Sequence, residues 1–591
     1  MRKMVRKISL TMVALMMLGS LYGCGDGTLP RTGAENSDTE IGNGTDDEEQ
    51  SIAAKYREKE EERQENYVYE YSDDCAETDM CEETAAEVYS ETSDSVSNDT
   101  NTYYYDIAYD DDYLYYEGDY DTREYDYVDE NKFVSASDEP LSTFSADRDT
   151  ASYSIIRSYI EEGTEVPYGA VRIEEMINYF DYDYKTCPEG DDKFSVYTEY
   201  SDCPWNDETK LLLVGINTAD IDFEEKQPSN LVFLIDTSGS MYDDNKLPLA
   251  QEAFKMLAEN LDENDRVSIV TYAGSDTVVL SGEVGSNTYT ITNALNELYA
   301  EGCTNGSDGI LTAYEVAEKY FIEGGNNRII LATDGDLNVG LTSESDLVGL
   351  ITEEKESGIF LSVLGFGTDN LKDNKLEALA DYGNGNYAYI DSVYEAKKVL
   401  VEEMGGTLYT VAKDVKFQVE FNPENVKGYR LIGYENRVLA ASDFDDDSVD
   451  GGEMGAGHIV TAIYEVVPAD SDFEISSSET KYSENTGTSG FSNELATINI
   501  RYKEPDEDTS KLVSKVVETS SYTEKMSADM SFVSAVAAFG MLLKDSDYSG
   551  TADMDMVLLL AEEGITDKNT ESDKTEFIYL VNMAAYQMTN K

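Results

Sequence analysis

Histidine and tryptophan each occur once in 591 residues, proline ten times and cysteine six times. A single histidine, with no paired Cys-x-x-Cys, excludes the usual zinc ligand sets. It also leaves one candidate base for a Ser-His-Asp or Cys-His nucleophile. That residue, His458, follows Gly455-Ala456-Gly457 at a turn, far in sequence from any other candidate site, and reads as a surface or strand-edge residue. No Gly-x-x-x-x-Gly-Lys loop is present to cradle a phosphate. Positive charge is scarce as well: 43 Lys plus Arg stand against 122 Asp plus Glu, a formal net charge of -79. Such a field repels phosphate backbones and anionic head groups, so nucleic acid is not expected as a partner. Hydrophobic residues make up 40% of the chain, enough for two or three cores.

What is present begins with a basic start, Arg2, Lys3, Arg6 and Lys7, followed by an apolar stretch from Ile8 to Leu21. That stretch is short for a bilayer span and reads as an export signal. It ends in Leu21-Tyr22-Gly23-Cys24, which resembles a bacterial lipoprotein processing box, although Tyr22 is bulkier than the small residue usual there. The resemblance implies acylation of Cys24, with the rest of the chain held on the membrane outside the cytoplasm; a simple cleaved signal is the plainer alternative. Cys75, Cys81, Cys187, Cys203 and Cys303 then remain, an odd number that leaves at least one thiol free or paired between molecules. Cys75 with Cys81 and Cys187 with Cys203 are possible pairs, and spacing does not choose between connectivities.

Residues 25–140 hold about 37 acidic and about 7 basic residues, with roughly fifteen tyrosines, and this composition predicts a disordered stalk. The tyrosines fit a binding or modification tract; the simpler reading is a self-repelling spacer. Order is expected from near Ser142, with helices at Ala151 to Glu162 and Tyr168 to Phe180 and strands at Phe194 to Tyr200 and Leu211 to Thr218, in a segment 141–228. Between 229 and 410 strand-length apolar runs (Leu231 to Ile235, Val267 to Tyr272, Ile329 to Ala332, Phe360 to Phe366, Tyr387 to Ile390) are separated in several places by helical patterns such as Leu249 to Leu261 and Leu311 to Phe321. Buried strands joined by helices predict an α/β domain, a mainly parallel sheet with helices on both faces. Strands return without helices over 411–505, which predicts a β-sandwich into which the α/β region is inserted. The tail, 506–591, closes in helical patterns at Met530 to Leu543 and Phe577 to Met588.

The sharpest motif, Asp236-Thr237-Ser238-Gly239-Ser240, follows the first α/β strand, at the carboxyl edge where ligands collect on such sheets. Asp236 supplies a carboxylate, Ser238 and Ser240 supply hydroxyls, and hard divalent cations take such oxygen donors. An ordinary strand-to-helix turn with capping side chains would account for one serine. It does not account for two further loops with matching groups, Gly302-Cys303-Thr304-Asn305-Gly306 and the strand-terminal Thr333-Asp334-Gly335.

In this order the three loops resemble the metal-ion-dependent adhesion site of von Willebrand factor type A domains. The resemblance implies that Asp236, Ser238, Ser240, Thr304 and Asp334 hold Mg²⁺ or Mn²⁺, with one position left open for an acidic side chain of a partner protein. Stretches such as Glu174-Glu175-Met176-Ile177-Asn178-Tyr179-Phe180, Cys203-Pro204-Trp205-Asn206, Gly383-Asn384-Gly385-Asn386-Tyr387 and Leu431-Ile432-Gly433-Tyr434-Glu435-Asn436-Arg437 are similar to a family of bacterial von Willebrand type A lipoproteins, from about Ser142 to the C-terminus. Cys303 stands where that family commonly has a small residue. The run Met241-Tyr242-Asp243-Asp244 also resembles integrin β-subunit type A domains, which implies an adjacent Ca²⁺ held by Asp243 and Asp244; the plainer reading is a solvated loop and helix cap. The function expected is partner binding by a membrane-anchored extracytoplasmic protein. The alternatives are a metal-stabilised scaffold of the cell envelope and, from another class, a metal-dependent hydrolase, which lacks a spare nucleophile or base beside the ion.

Overall fold

A computed structural model describes residues 123–589 apart from 147–148, 185–191, 220–226, 303–305, 336–343, 357, 369, 404–408, 450, 476–490, 506, 508 and 567–570. Cys24, Cys75, Cys81, Cys187, Cys303 and Thr304 therefore lie outside the described residues.

In chain order the first elements are strands β1 (Val134–Ser135) and β2 (Leu141–Ser145), helices α1 (Ala151–Glu162) and α2 (Ile173–Asn178), and strands β3 (Phe194–Asp202) and β4 (Lys210–Thr218). The expected helix over Tyr168 to Phe180 is shorter than the apolar spacing implies: Pro167 precedes a single 3₁₀ turn at Tyr168–Ala170, and the α-helix covers only Ile173–Asn178. The α/β region follows with β5 (Ser229–Asp236), α3 (Leu247–Ala258), β6 (Arg266–Tyr272), β7 (Asp276–Val284), α4 (Thr288–Asn296), α5 (Gly306–Lys319), β8 (Asn326–Thr333), α6 (Glu344–Glu356), β9 (Ile359–Phe366), α7 (Asp373–Tyr382), β10 (Tyr387–Ile390) and α8 (Val393–Lys397).

Its sheet runs β10-β9-β8-β5-β6-β7, parallel except for β7, which returns antiparallel along β6. Alternation along β5 feeds two cores. Val232 and Leu234 pack with α1, α5, α6 and α7 through Ile155, Tyr314, Ile351 and Leu376. Leu231, Phe233 and Ile235 pack on the other face with Phe254 and Leu257 of α3 and Ile291 of α4. Helix α1, which precedes this region by more than one strand, thus supplies part of the cover of its sheet.

The remaining elements are β11 (Thr410–Phe421), β12 (Val426–Ile432), β13 (Val438–Leu439), β14 (Gly452–Gly455), β15 (Ile459–Pro468), β16 (Glu494–Lys503) and β17 (Lys511–Glu518), then α9 (Ala528–Leu543), α10 (Met554–Gly564) and α11 (Ser572–Thr589). Two antiparallel sheets result, β1-β12-β15-β4-β3 and β13-β2-β11-β16-β17 with β14 also on β11. Each mixes strands from before and after the α/β region, which is therefore an insertion between β4 and β11. Phe417, Val419 and Phe421 of one sheet meet Leu212, Val214, Tyr464 and Val466 of the other in the sandwich core. The C-terminal helices are a third layer: Phe532, Phe539 and Phe577 cover the outer face of the first sheet through Leu211, Leu213 and Ile463, together with Met176 and Ile177 of α2.

The extent of the stalk needs correction. The stalk was expected to reach residue 140, but residues 123–140 pack against the rest of the chain. The Arg123 guanidinium lies 3.7 Å over the Tyr159 ring, Glu124 donates its amide to the Leu371 carbonyl at 3.0 Å, Tyr127 stacks on Tyr168 at 4.7 Å, and β1 pairs with β12. Composition averaged over the whole acidic stretch hides these local contacts. A chain starting at Ser142 should still fold, but with about 2–4 kcal/mol less stability than one starting near residue 120, for the apolar surface it uncovers. Chemical denaturation of both measures this, and equal midpoints would show that the strap contributes nothing. Cys203 is a free, buried thiol with Sγ 4.0 Å from Oε1 of Glu465, and Cys187, one possible partner for it, lies outside the described residues.

Candidate metal centre

Strand β5 is flanked by β6 on one side and β8 on the other, so the chain leaves β5 in one direction and returns on the opposite side. Loops at the carboxyl ends of β5 and β8 diverge there, opening the crevice in which open α/β sheets bind ligands. Asp236 ends β5 and Asp334 follows β8. Both carboxylates are completely buried.

Asp236 is held by its own loop. Its Oδ1 accepts the Ser238 amide at 2.9 Å, and its Oδ2 accepts the Thr333 hydroxyl at 3.2 Å. The Ser238 and Ser240 hydroxyls lie 2.9 Å apart, Ser238 buried and Ser240 exposed. The second loop is docked on the first through backbone: Gly239 donates to the Gly302 carbonyl at 3.1 Å, and Glu301 donates to the Thr237 carbonyl at 2.8 Å. The structure thus brings together Asp236, Ser238, Ser240 and Asp334, while Thr304, two residues beyond Gly302, lies outside the described residues.

The donor set fits a hard divalent cation. All four groups are oxygens and two are buried carboxylates, the donor type that hard divalent cations take. Burial pushes the Asp236 carboxyl up to about 6, with the Asp334 charge adding to the rise against the lowering hydrogen bonds of Ser238 and Thr333. A proton held that strongly stabilises the metal-free fold in acid, and this contribution is lost as pH rises through about 6. Metal-free protein should therefore lose stability between about pH 4 and pH 7. Mg²⁺ should restore it above pH 6 and have little effect below, because ion and proton compete for one carboxylate. Thermal unfolding with chelator and with Mg²⁺ across this range checks both signs.

Three groups at this site carried no sequence signal. Lys246, 3% exposed, places its ammonium 3.3 Å from Oδ2 of Asp334 and 3.5 Å from Oδ1 of Asn370. Tyr272, fully buried at the end of β6, pairs in register with Asp236. Only Lys246 stood near a motif, six residues after Ser240. Asp243 and Asp244 are exposed, and among the described residues no three His, Cys, Asp or Glu side chains are grouped to hold an ion. An adjacent Ca²⁺ would have to be completed by backbone carbonyls and water. His458 is not a surface residue: it is 3% exposed, and its Nδ1 accepts the Gly455 amide at 3.1 Å, so it fastens the turn before β15.

A sheet of this order with oxygen donors at its carboxyl edge belongs to the von Willebrand factor type A domains, and the family model of that domain matches residues 230–403. Models described as "von Willebrand factor" and "Uncharacterized protein YfbK, C-terminal" match residues 119–213 and 406–586. The first of these begins ahead of Ser142 and takes in the packed strap. Uncharacterized protein YfbK of Escherichia coli (strain K12) is 40% identical over 469 residues, 78% of this chain and 81% of that one, and this chain belongs to the same family. Inter-alpha-trypsin inhibitor heavy chain H4 of Sus scrofa is 32% identical over 151 residues, 24% of this chain and 16% of its own length. Among solved structures, von Willebrand factor type A from Catenulispora acidiphila is 16% identical and covers 65% of this chain and 89% of its own, with a TM-score of 0.37.

Proposed function

We propose that this protein is held on the membrane outside the cytoplasm and binds a protein partner through a Mg²⁺-dependent site. Domains of the type A family commonly serve protein–protein interaction, and the observation that supports a metal-dependent form of it here is the pair of buried carboxylates, Asp236 and Asp334, beside two hydroxyls at an open sheet edge. Asp236, Ser238, Ser240, Thr304 and Asp334 would hold the ion. When bound, it supplies a positive centre with room for one more oxygen ligand, which suits an acidic side chain and lets a very acidic protein take an acidic partner. The chain's own groups do the rest: Thr333 and the Ser238 amide orient Asp236, and the Gly239 to Gly302 contact sets the loop that carries Thr304. Mn²⁺ fits the same donors. A pull-down from the cell surface with and without chelator tests the reading, and a partner retained fully in chelator would leave the site without an adhesive role.

Attachment rests on Arg2, Lys3, Arg6, Lys7, the apolar stretch and Cys24. One acyl chain anchors only marginally, so retention would need the two or three chains of a lipoprotein. Cys24→Ser should release the protein into the medium, as fractionation and immunoblotting would detect. A variant that stays equally membrane-bound would rule out lipid at Cys24.

A further inference from the structure

The strap is fastened to the segment that backs the metal loop. The Glu124 amide donates to the Leu371 carbonyl at 3.0 Å, the Glu124 carboxylate accepts the Lys372 ammonium at 2.8 Å, and the Asp126 carboxylate accepts the Asn374 side-chain amide at 3.0 Å. Glu124 and Lys372 form a parallel bridge, so the strap lies beside the start of α7 as a short added strand would. It is seated on Gly169, where a Cβ would collide with the Asp126 carbonyl oxygen. On their other side, Leu371 and Lys372 lie against Gly335, the residue after Asp334. Gly335 has a φ of +98°, and a Cβ on it would stand 2.5 Å from the Lys372 amide nitrogen and 3.0 Å from Cα of Leu371. The Gly335 amide donates to the Thr333 hydroxyl at 3.2 Å, and that hydroxyl donates to Oδ2 of Asp236 at 3.2 Å. Gly335 is thus the chain neighbour of one buried carboxylate and is joined through Thr333 to the other.

We propose that the strap positions the metal loop, so that docking of residues 123–126 and binding of the ion favour each other. The inference rests on the metal reading above. Asp236 and Asp334 meet one ion only while the backbone around Gly335 keeps its place, and a glycine is the residue there most free to turn. Leu371 and Lys372 remove that freedom from behind, and the strap fixes Leu371 and Lys372 in turn. The Glu124 carboxylate is half exposed, so its ion pair with Lys372 contributes little, and most of the fastening falls to the backbone bond and the close seat on Gly169. Without the strap the segment would spend part of its time away from Gly335, and the apparent ion affinity would fall with the fraction of competent loop. Linkage makes the effect mutual: what the strap adds to ion binding, the ion adds to strap docking. Glu124 and Gly169 are positioning residues, since they act through Leu371, Lys372 and Gly335.

The test is calorimetry with Mn²⁺ on the full chain, in wild type, G169V, E124P and D236A. G169V pushes the strap off its seat, and E124P deletes the amide that donates to Leu371. Each should bind Mn²⁺ about tenfold more weakly than wild type. In hydrogen exchange, Mn²⁺ should slow the amides of residues 123–126 in wild type and leave them unchanged in D236A. The edge strand β17 should be unaffected in both, so a strap that served stability alone would not reproduce the pattern. Should G169V not fold, E124P takes its place. Mn²⁺ affinity within about twofold of wild type in a folded strap variant would overturn the inference, as would strap exchange in wild type that ignores the ion. Mn²⁺ binding to wild type that D236A abolishes would leave the metal reading standing in that event, whereas no binding to any of the four proteins would remove both.

Discussion

Asp236→Ala is expected to lower Mg²⁺ and Mn²⁺ affinity by on the order of 100-fold or more, to the edge of detection by calorimetry. The substitution removes a formal charge and an oxygen from a site to which the described residues bring two carboxylates, and it also frees the Ser238 amide and the Thr333 hydroxyl that Asp236 holds in place. The metal-free variant should remain folded and, above pH 6, be no less stable than wild type, because the carboxyl it loses is one that burial already disfavours in its charged form. Thr304→Ala removes a neutral hydroxyl and should leave the resting ion affinity within several-fold, while partner capture falls. Mg²⁺ affinity unchanged in Asp236→Ala would eliminate the site.

Arg157→Ala is expected to cost about 3–5 kcal/mol of stability, the range found when one member of a buried ionic group is removed. Arg157 projects from α1 and donates Nε and one terminal nitrogen to Asp391 at 2.6 and 2.7 Å, and to Glu395 at 2.7 Å. Its other terminal nitrogen reaches the Tyr179 hydroxyl at 3.1 Å and lies 3.5 Å from Glu576 of α11. Glu395 is 1% exposed, and burial raises its carboxyl against the lowering charge of Arg157. Without the guanidinium, Glu395 must take up a proton or stay charged and unpaired, so the loss should be larger at pH 8 than at pH 5. Arg157→Lys keeps the charge and loses the planar fork, and should fall between. Urea denaturation at both pH values measures this, and a pH-independent loss would place the effect in packing alone.

The α/β architecture was legible because its signals are local. The run Leu231 to Ile235 is wholly apolar as a strand buried on both faces must be, and α1 spans the predicted Ala151–Glu162. Strands β7 and β17 escaped notice for the opposite reason. They are edge strands with mostly exposed or half-exposed residues, and neither Asp276–Val284 nor Lys511–Glu518 alternates cleanly. Helix α10 lies in the tail, where only two of its three helices were expected. At the site, the motif residues could be read from their order along three loops, because strand ends carry them to one edge. Lys246 could not, since its meaning depends on Asp334, 88 residues away. The strap at 123–140 shows the same limit: Tyr127 and Arg123 look like the rest of an acidic, tyrosine-rich stretch until Tyr168 and Tyr159 are brought beside them.

The insertion has a consequence for the order in which the chain can fold. Strand β4 pairs with β15, Lys210 beside Val466 and Asn217 beside Ile459, so the first half of the sandwich waits for strands made long after it. Until then β3 and β4 are a hairpin with an open edge, the kind of surface that pairs wrongly or aggregates. The α/β domain lies between the two halves and draws its whole sheet from one continuous stretch. Once it has closed, the loop still to be closed between β4 and β11 is reduced to the distance between its two ends, and the entropy of bringing the sandwich strands together falls accordingly. The domain that carries the metal loops would in this way serve first as the template on which the rest of the molecule assembles, with the sandwich forming as the slower, second phase of refolding.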